Sequence, residues 1–364
     1  MRFVHLSYLS LFFCFSCQEK VSTPAAEKYP WKTYRGVNVS CSITEADIAD
    51  LATTEANLMR LSMPVCEMIS LEPPYQIIEA NMQKVDAVLD WAEKYGIGVL
   101  IDPHKYPGTQ HQWTMLGNDP FWQDFKWHDV FLNFWEVMTE RYANRGSVLT
   151  GYDLLNEPQL NTDYEPNSPN DLNYLYQRAT EIIRSKDSVH TIVYALPRIY
   201  DATVDSIYGY HRGIEYINIP NDGNICLETH TYMPMAFSHQ NIWEEGEDVP
   251  YPVEIEGVLW NKQQLEKEQE SLIAFSKENP DIPILVGEFS APRWTGEDGL
   301  KYLNDIISIA EGNNWSWTYH AYRENQVWDA EMSMDERKDS IRRPNAKRWQ
   351  MLKSLFKENK TSNR

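Results

Sequence analysis

Short apolar runs alternate with longer amphipathic stretches along most of the chain. Residues 34–40 (YRGVNVS), 57–63 (NLMRLSM) and 97–104 (IGVLIDPH) predict three strands. Five more follow: 151–156 (GYDLLN), 191–197 (TIVYALP), 225–232 (ICLETHTY), 282–289 (IPILVGEF) and 315–322 (WSWTYHAY). Between them the period changes. Residues 43–55 predict a short helix with Ser42 or Thr44 as its N-cap. Ile78, Met82, Val85, Leu89 and Ala92 fall on one helical face, which Gly96 ends. Phe131, Phe134, Trp135, Met138 and Tyr142 mark the next helix, and residues 171–186, 262–278, 297–312 and 344–356 predict others. Strands alternating with helices make a parallel sheet of the α/β class. Eight such units in 364 residues suit one closed (β/α)8 TIM barrel better than an open doubly wound sheet. The first strand is followed by no GxGxxG or Walker loop, which weakens a nucleotide-binding reading.

Composition narrows the function. At 42% hydrophobic the chain can fill one large core. A net charge of −20 argues against nucleic acid or an anionic membrane surface as partner. It favours a neutral or cationic substrate, although solubility alone accounts for it equally well. The 13 Trp and 21 Tyr supply flat apolar faces of the kind that sugar rings stack on.

The N-terminus, MRFVHLSYLSLFFCFSCQEK, carries one Arg and then an apolar stretch through Phe15. It is too short for an ordinary membrane span and reads as a secretory signal. Ser16 directly before Cys17 resembles a bacterial lipoprotein signal, although Cys14 stands where Leu is preferred. That resemblance implies lipidation of Cys17 and a cell-envelope location, with the membrane met only through the lipid. The expected organisation is a signal over 1–16, a polar tether over 17–30, the barrel over 31–358 and a polar tail over 359–364. Of five cysteines, Cys41, Cys66 and Cys226 then remain, an odd number for a disulfide framework. Cys41 and Cys66 pair only if the ends of the first two strands are adjacent; buried free thiols are expected.

In such a barrel the chemistry belongs at the C-terminal strand ends. Arg60 lies in the second strand, Asp102 and His104 follow the third, and Asn156 and Glu157 follow the fourth. His230 and Tyr232 follow the sixth, and Glu288 ends the seventh. A carboxylate leaving an apolar run needs a partner or a purpose. Strands four and seven end on opposing parts of the ring, so Glu157 and Glu288 face each other across the mouth. Two facing carboxyls suit glycoside hydrolysis, one protonated as acid and one ionised as nucleophile. Arg60 beside Glu288 would keep it ionised, and Glu157 opposite a negative partner would hold its proton longer. Asn156 suits a hydrogen bond to the sugar 2-hydroxyl, and Tyr232 can hold the Glu288 carboxylate. Asp102 with His104, and His230 with Tyr232, each share one strand face.

The set NEP, GEF, DPH, HTY and the Arg of NLMRLSMP resembles glycoside hydrolase family 5, the retaining, cellulase-containing family on (β/α)8 barrels, over residues 31–356. The resemblance implies Glu157 as acid and base and Glu288 as nucleophile. It implies Arg60, His104, Asn156, His230 and Tyr232 around the reacting sugar, no cofactor, and a polysaccharide or oligosaccharide substrate acted on by a monomer. It also implies a Trp late in strand eight, where alignment by WTY gives His320 and alignment by ring type gives Trp317. Trp317 is the expected residue. Trp113 and Trp294, just after strands three and seven, serve equally as sugar platforms or as packing under loops.

Family frequency favours an endo-β-1,4-glucanase, with mannan, xylan or exo-action on a small glycoside as alternatives. A glycan-binding barrel without catalysis is a second class, opposed by the intact carboxyl pair. A metal-dependent hydrolase using Asp102, His104 and His230 is a third. It lacks an HxH after strand one and a Lys at the end of strand four. No CxxC or His/Cys cluster suggests zinc. The acidic stretch 243–257 reads as a long loop over the cleft after strand six.

Overall fold

The computed structural model describes residues 29–62, 67–109, 119–161, 164–201, 206–208, 210–332 and 341–360. The signal, Cys17, Cys66 and Trp113 lie outside the described residues. Eight parallel strands close a barrel: Arg35–Ser40, Leu58–Ser62, Gly98–Asp102, Leu149–Asp153, Thr191–Ala195, Ile225–His230, Ile284–Glu288 and Ser316–Tyr319. Each pairs with its neighbour in sequence, and the eighth pairs back to the first in the register Arg35–Trp317. The (β/α)8 expectation holds. Among the described residues no helix is long and apolar enough to cross a membrane.

Local chemistry sets the helix ends. Helix Glu45–Ala52 starts at Thr44, whose side chain accepts from the Asp47 amide while Asp47 accepts back from Thr44 N at 2.9 Å. That settles the choice between two candidate caps. Helix Glu79–Tyr95 stops at Gly96, which takes the left-handed φ of 72°. The helix expected over 262–278 is two, Lys262–Glu268 and Glu270–Glu278, joined at Gln269. Two small sheets were not expected. Gln159–Asn161, Arg198–Asp201 and Ser206–Tyr208 form one, and a hairpin of Val253–Ile255 with Val258–Trp260 forms the other.

Buried helix side chains, Trp135, Tyr142, Tyr176 and Tyr302 among them, fill the layer between helices and strands. The barrel interior is separate. Leu58, Leu100, Val193, Cys226 and Leu285 form an apolar plug, backed by Trp31 and Tyr34. Side chains alternate along a strand, so the next inward level lies two residues on. It reads Arg60, Asp102, Ala195, Glu228 and Gly287, and three of the five are charged residue types. Gly287 is there because Glu228 already fills its space: a Cβ would sit 1.7 Å from Glu228 Oε1.

Cys41 is disulfide-bonded to a partner outside the described residues, which corrects the expectation of a free thiol. Cys226 is free and buried.

Candidate active site

Arg60 is the centre of the polar level and is fully buried. Its Nε donates to Asp153 Oδ2 at 2.9 Å and lies 3.2 Å from Glu228 Oε1. Its Nη1 reaches Glu288 Oε1 at 2.8 Å, Asp102 Oδ2 at 3.1 Å and Asn38 Oδ1 at 3.2 Å. Its Nη2 donates to Asn156 Oδ1 at 3.0 Å. One guanidinium thus orients six groups from five strands and the turns that follow them, a task for a planar five-donor fork. Burial opposes its charge, but the surrounding carboxylates keep Arg60 firmly protonated. Asp153 differs from its neighbours. Burial and the Glu228 charge push its pKa well above the carboxylate range, so one member of the cluster carries a proton.

Glu288 ends the seventh strand, 6% exposed. Tyr232 donates to its Oε2 at 3.1 Å. Burial alone would raise its pKa. The groups around it that favour its charged form, His230 and His320 first and then Arg60 and His104, hold it well below the usual carboxylate range. Glu288 is therefore ionised at neutral pH.

Glu157 stands beyond the fourth strand, which ends at Asp153 rather than Asn156. Residues 154–157 turn over the rim, and Glu157 takes a left-handed φ of 46°. That conformation is strained for a residue with a Cβ and aims the carboxyl inward. Glu157 Oε1 lies 2.8 Å from His230 Nδ1, and His230 Nε2 lies 2.9 Å from Glu228 Oε1. Burial disfavours a charged ring at His230, yet Glu228, Glu288 and the two hydrogen bonds raise its pKa well above the ordinary value. The imidazolium donates from both nitrogens and bridges the two carboxyl groups.

Glu157, His230 and Glu288 each present an atom within 4.8 Å of the others. That spacing could hold a cation. Arg60 and the charged His230 already supply positive charge there, and a protonated imidazole is no ligand. One oxygen of each carboxyl lies within 4.8 Å of the other, nearer the roughly 5–5.5 Å of a retaining glycosidase than the roughly 6.5–9.5 Å of an inverting one.

The structure brings Arg60, His104, Asn156, Glu157, His230, Tyr232 and Glu288 together. His104 Nδ1 is held by Asp102 at 2.8 Å and Ser62 at 3.2 Å. Its Nε2 faces Asn156 Nδ2 at 3.2 Å, so the ring fixes the amide that Arg60 holds from the other side. Trp317 does not join them. It is fully buried on the outside of the barrel, donates from Nε1 to Glu311 at 2.7 Å and stacks on Phe356. The alternation that puts Trp315, Trp317 and Tyr319 on one face holds, and that face is the helix side. His320 takes the inner place, its Nδ1 3.9 Å from Glu288 Oε2. Trp294 is half-buried and donates to the Gln240 carbonyl at 3.1 Å, fastening two loops together.

Asn38, Asp153, Glu228 and Glu324 are site residues that the sequence pattern did not single out, and His320 stood there only as the alternative to Trp317. For Asn38, Asp153 and Glu228 a signal existed: a polar residue inside an apolar strand, on the same face as Arg60 or Asp102. The loop after strand six carries Trp243, 68% exposed and stacked on His239 at 5.8 Å. His239 sits edge-on to Tyr232 and Trp328, and burial lowers its pKa to about 4, so its ring is neutral.

The pattern of the cellulases, glycosyl hydrolase family 5, matches residues 21–326. Endoglucanase C of Acetivibrio thermocellus is 25% identical over 297 residues, spanning 74% of this chain and 80% of its own. A glucan 1,3-beta-glucosidase of Blumeria graminis is 29% identical over 205 residues, 55% of this chain and 44% of its own. Among solved structures, a hyperthermophilic endo-beta-1,4-glucanase in complex with substrate superposes with a TM-score of 0.67 at 19% identity, over 89% of this chain and 97% of that one. Thermotoga maritima Cel5A in complex with mannotriose gives 0.63 at 24% identity, over 82% and 92%. These two structures speak to the fold.

Proposed function

Because the chain belongs to the cellulases, glycosyl hydrolase family 5, it is a retaining β-glycoside hydrolase, and we propose that it cuts β-linked glucan internally with Glu288 as nucleophile and Glu157 as acid and base. The observation that carries the assignment is the carboxyl pair itself. Glu288 is held ionised against Arg60, and Glu157 meets it within 4.8 Å.

In the first step Glu157 gives its proton to the glycosidic oxygen as that oxygen leaves C1, and Glu288 bonds to C1. In the second, water attacks C1 and yields its proton to Glu157, and Glu288 leaves as a carboxylate. Asn156 hydrogen-bonds the 2-hydroxyl, a contact that strengthens as positive charge develops on the ring. Tyr232 steadies the nucleophile until attack. His230 couples Glu157 to Glu228 and keeps its carboxyl aimed at the leaving oxygen.

Glucan and internal cutting rest on softer support. Several relatives are endoglucanases by name. The ring of Trp243, exposed and stacked on His239, offers a face for a further sugar. The fungal likeness supports a second reading, a β-1,3-glucan substrate. Secretion and a lipid on Cys17 fit the apolar N-terminal stretch and the disulfide at Cys41, a bond that forms in oxidising compartments. An enzyme acting outside the cell can reach polymers too large to import.

The test is hydrolysis of β-1,4-glucan, β-1,3-glucan, mannan, xylan and aryl glycosides by wild type, Glu157→Ala and Glu288→Ala. Wild type should release oligosaccharides from β-1,4-glucan. Each variant should lose about 10²–10⁴-fold or more in kcat, and azide should rescue Glu288→Ala as an inverted glycosyl azide. Full activity in both variants would refute the pair.

A further inference from the structure

Two polar atoms at the mouth have no hydrogen-bond partner. They are His320 Nδ1 and Glu324 Oε2, both buried. Buried polar atoms are rarely left unpaired in a folded protein, and at a reacting centre such an atom calls for a functional explanation. His320 directly follows strand eight, and its ring sits against Trp328 at 6.1 Å. Its amide donates to the Phe289 carbonyl at 3.2 Å, which locks the backbone beside the seventh strand. Glu324 lies four residues on. The charged groups it feels are His320, Glu288, His104 and Arg60, the same groups that surround the reacting centre.

Neither side chain is adrift. Arg323, next to Glu324, pairs with Glu331 and Asp47 at 2.6 Å each and with Asp50 at 3.0 Å. The Tyr322 amide donates to the Asn38 carbonyl at 3.0 Å. The loop is fastened on both sides of the site, so the unpaired atoms are held in place. The aromatic ring expected under the sugar, Trp317, is on the far side of the strand. His320 stands on the inner side in its stead, and Glu324 follows in the next loop.

We propose, resting on the reading of function above, that His320 and Glu324 bind ring hydroxyls of the sugar whose C1 meets Glu288, so that this subsite selects an unsubstituted neutral pyranose by hydrogen bonding. An aromatic floor would hold the ring by its C–H face and tolerate loss of a hydroxyl. A floor of unpaired polar atoms does not, because a missing hydroxyl leaves the protein's own groups buried without partners. The pair therefore sets specificity; the bond-breaking groups remain Glu157 and Glu288.

The experiment compares aryl β-cellobioside with analogues deoxygenated at position 3 or position 6 of the sugar that carries the aryl group. Wild type should lose about 10³-fold or more in kcat/KM on one of the two analogues. Glu324→Ala and His320→Ala should each shrink that penalty to about tenfold. Glu324→Gln, which keeps a hydrogen-bonding group of the same shape, should retain most of it. The penalty is a ratio within one protein, so a misfolded fraction cancels. A penalty unchanged in both alanine variants, or absent in wild type, overturns the inference while the reading of function stands. Failure of wild type to cleave any β-glycoside overturns that reading, and the inference with it.

Discussion

At the scale of single residues, the site is a problem in placing one proton. Glu288, Asp102 and Glu228 lie within reach of one arginine, and Asp153 stays protonated among them. The two most consequential shifts run in opposite directions, so pH should act on both flanks. Glu288 has a depressed pKa in the folded state. Its stabilising contribution is complete above the unfolded value, about 4.3, and is lost as pH falls toward the depressed one. His230 has a raised pKa. Its contribution is complete below about 6.5 and is lost as pH climbs through the raised value. Urea midpoints measured across pH should show Glu288→Gln flattening the acid flank and His230→Gln flattening the alkaline one. An unchanged alkaline flank in His230→Gln would place that proton elsewhere.

At the scale of elements, glycine in the seventh strand shows how tightly the strands share the interior. Gly287→Ala puts a methyl where Glu228 Oε1 lies. Glu228 must move, and it carries His230 with it through their 2.9 Å contact. Unfolding should show a loss of about 1–3 kcal/mol, and kcat should fall more than KM rises, because Glu157 loses its guide. Equal loss in a Gly→Ala change at the exposed Gly257, where a Cβ meets nothing, would contradict this, its positive φ aside.

The strands and most helices were legible because period two and period 3.6 are written in the apolar residues. Glu157, Glu288 and Asn156 were legible because each closes an apolar run, and Arg60 because it interrupts one. Trp317 was misplaced for a definite reason. Alternation assigns residues to two faces but does not say which face is inward, and a barrel buries both. The inward face of strand eight is the one with Ser316, Thr318 and His320, the smaller and more polar set. Glu324 had no signal, since its role depends on where a loop folds back. The break at Gln269 and the two small sheets were hidden likewise, as short elements made by tertiary contacts.

At the scale of the molecule, the disulfide at Cys41 fastens the end of the first strand, where the chain leaves the barrel for its first helix. Reduction should lower the unfolding free energy by about 2–4 kcal/mol. Cys41→Ser should show the same loss without reductant and no further loss with it. A variant still sensitive to reductant would point to a different stabilising bond.

Arg60 has a further consequence for how such a chain can be divided. It stands on the second strand, and the acids nearest it come from the third, fourth, sixth and seventh. A fragment ending after the fourth strand would bury the cation with Asp102 as its charged partner, the protonated Asp153 beside it, and an open edge. The complementary fragment would bury Glu228 and Glu288 facing no guanidinium. Neither half is electrically self-sufficient, although each contains four strands. Separate expression of the halves should give insoluble or disordered chains, with structure and activity returning together on mixing. The charge at the middle of the barrel makes it one cooperative unit and leaves no autonomous piece for recombination to exchange.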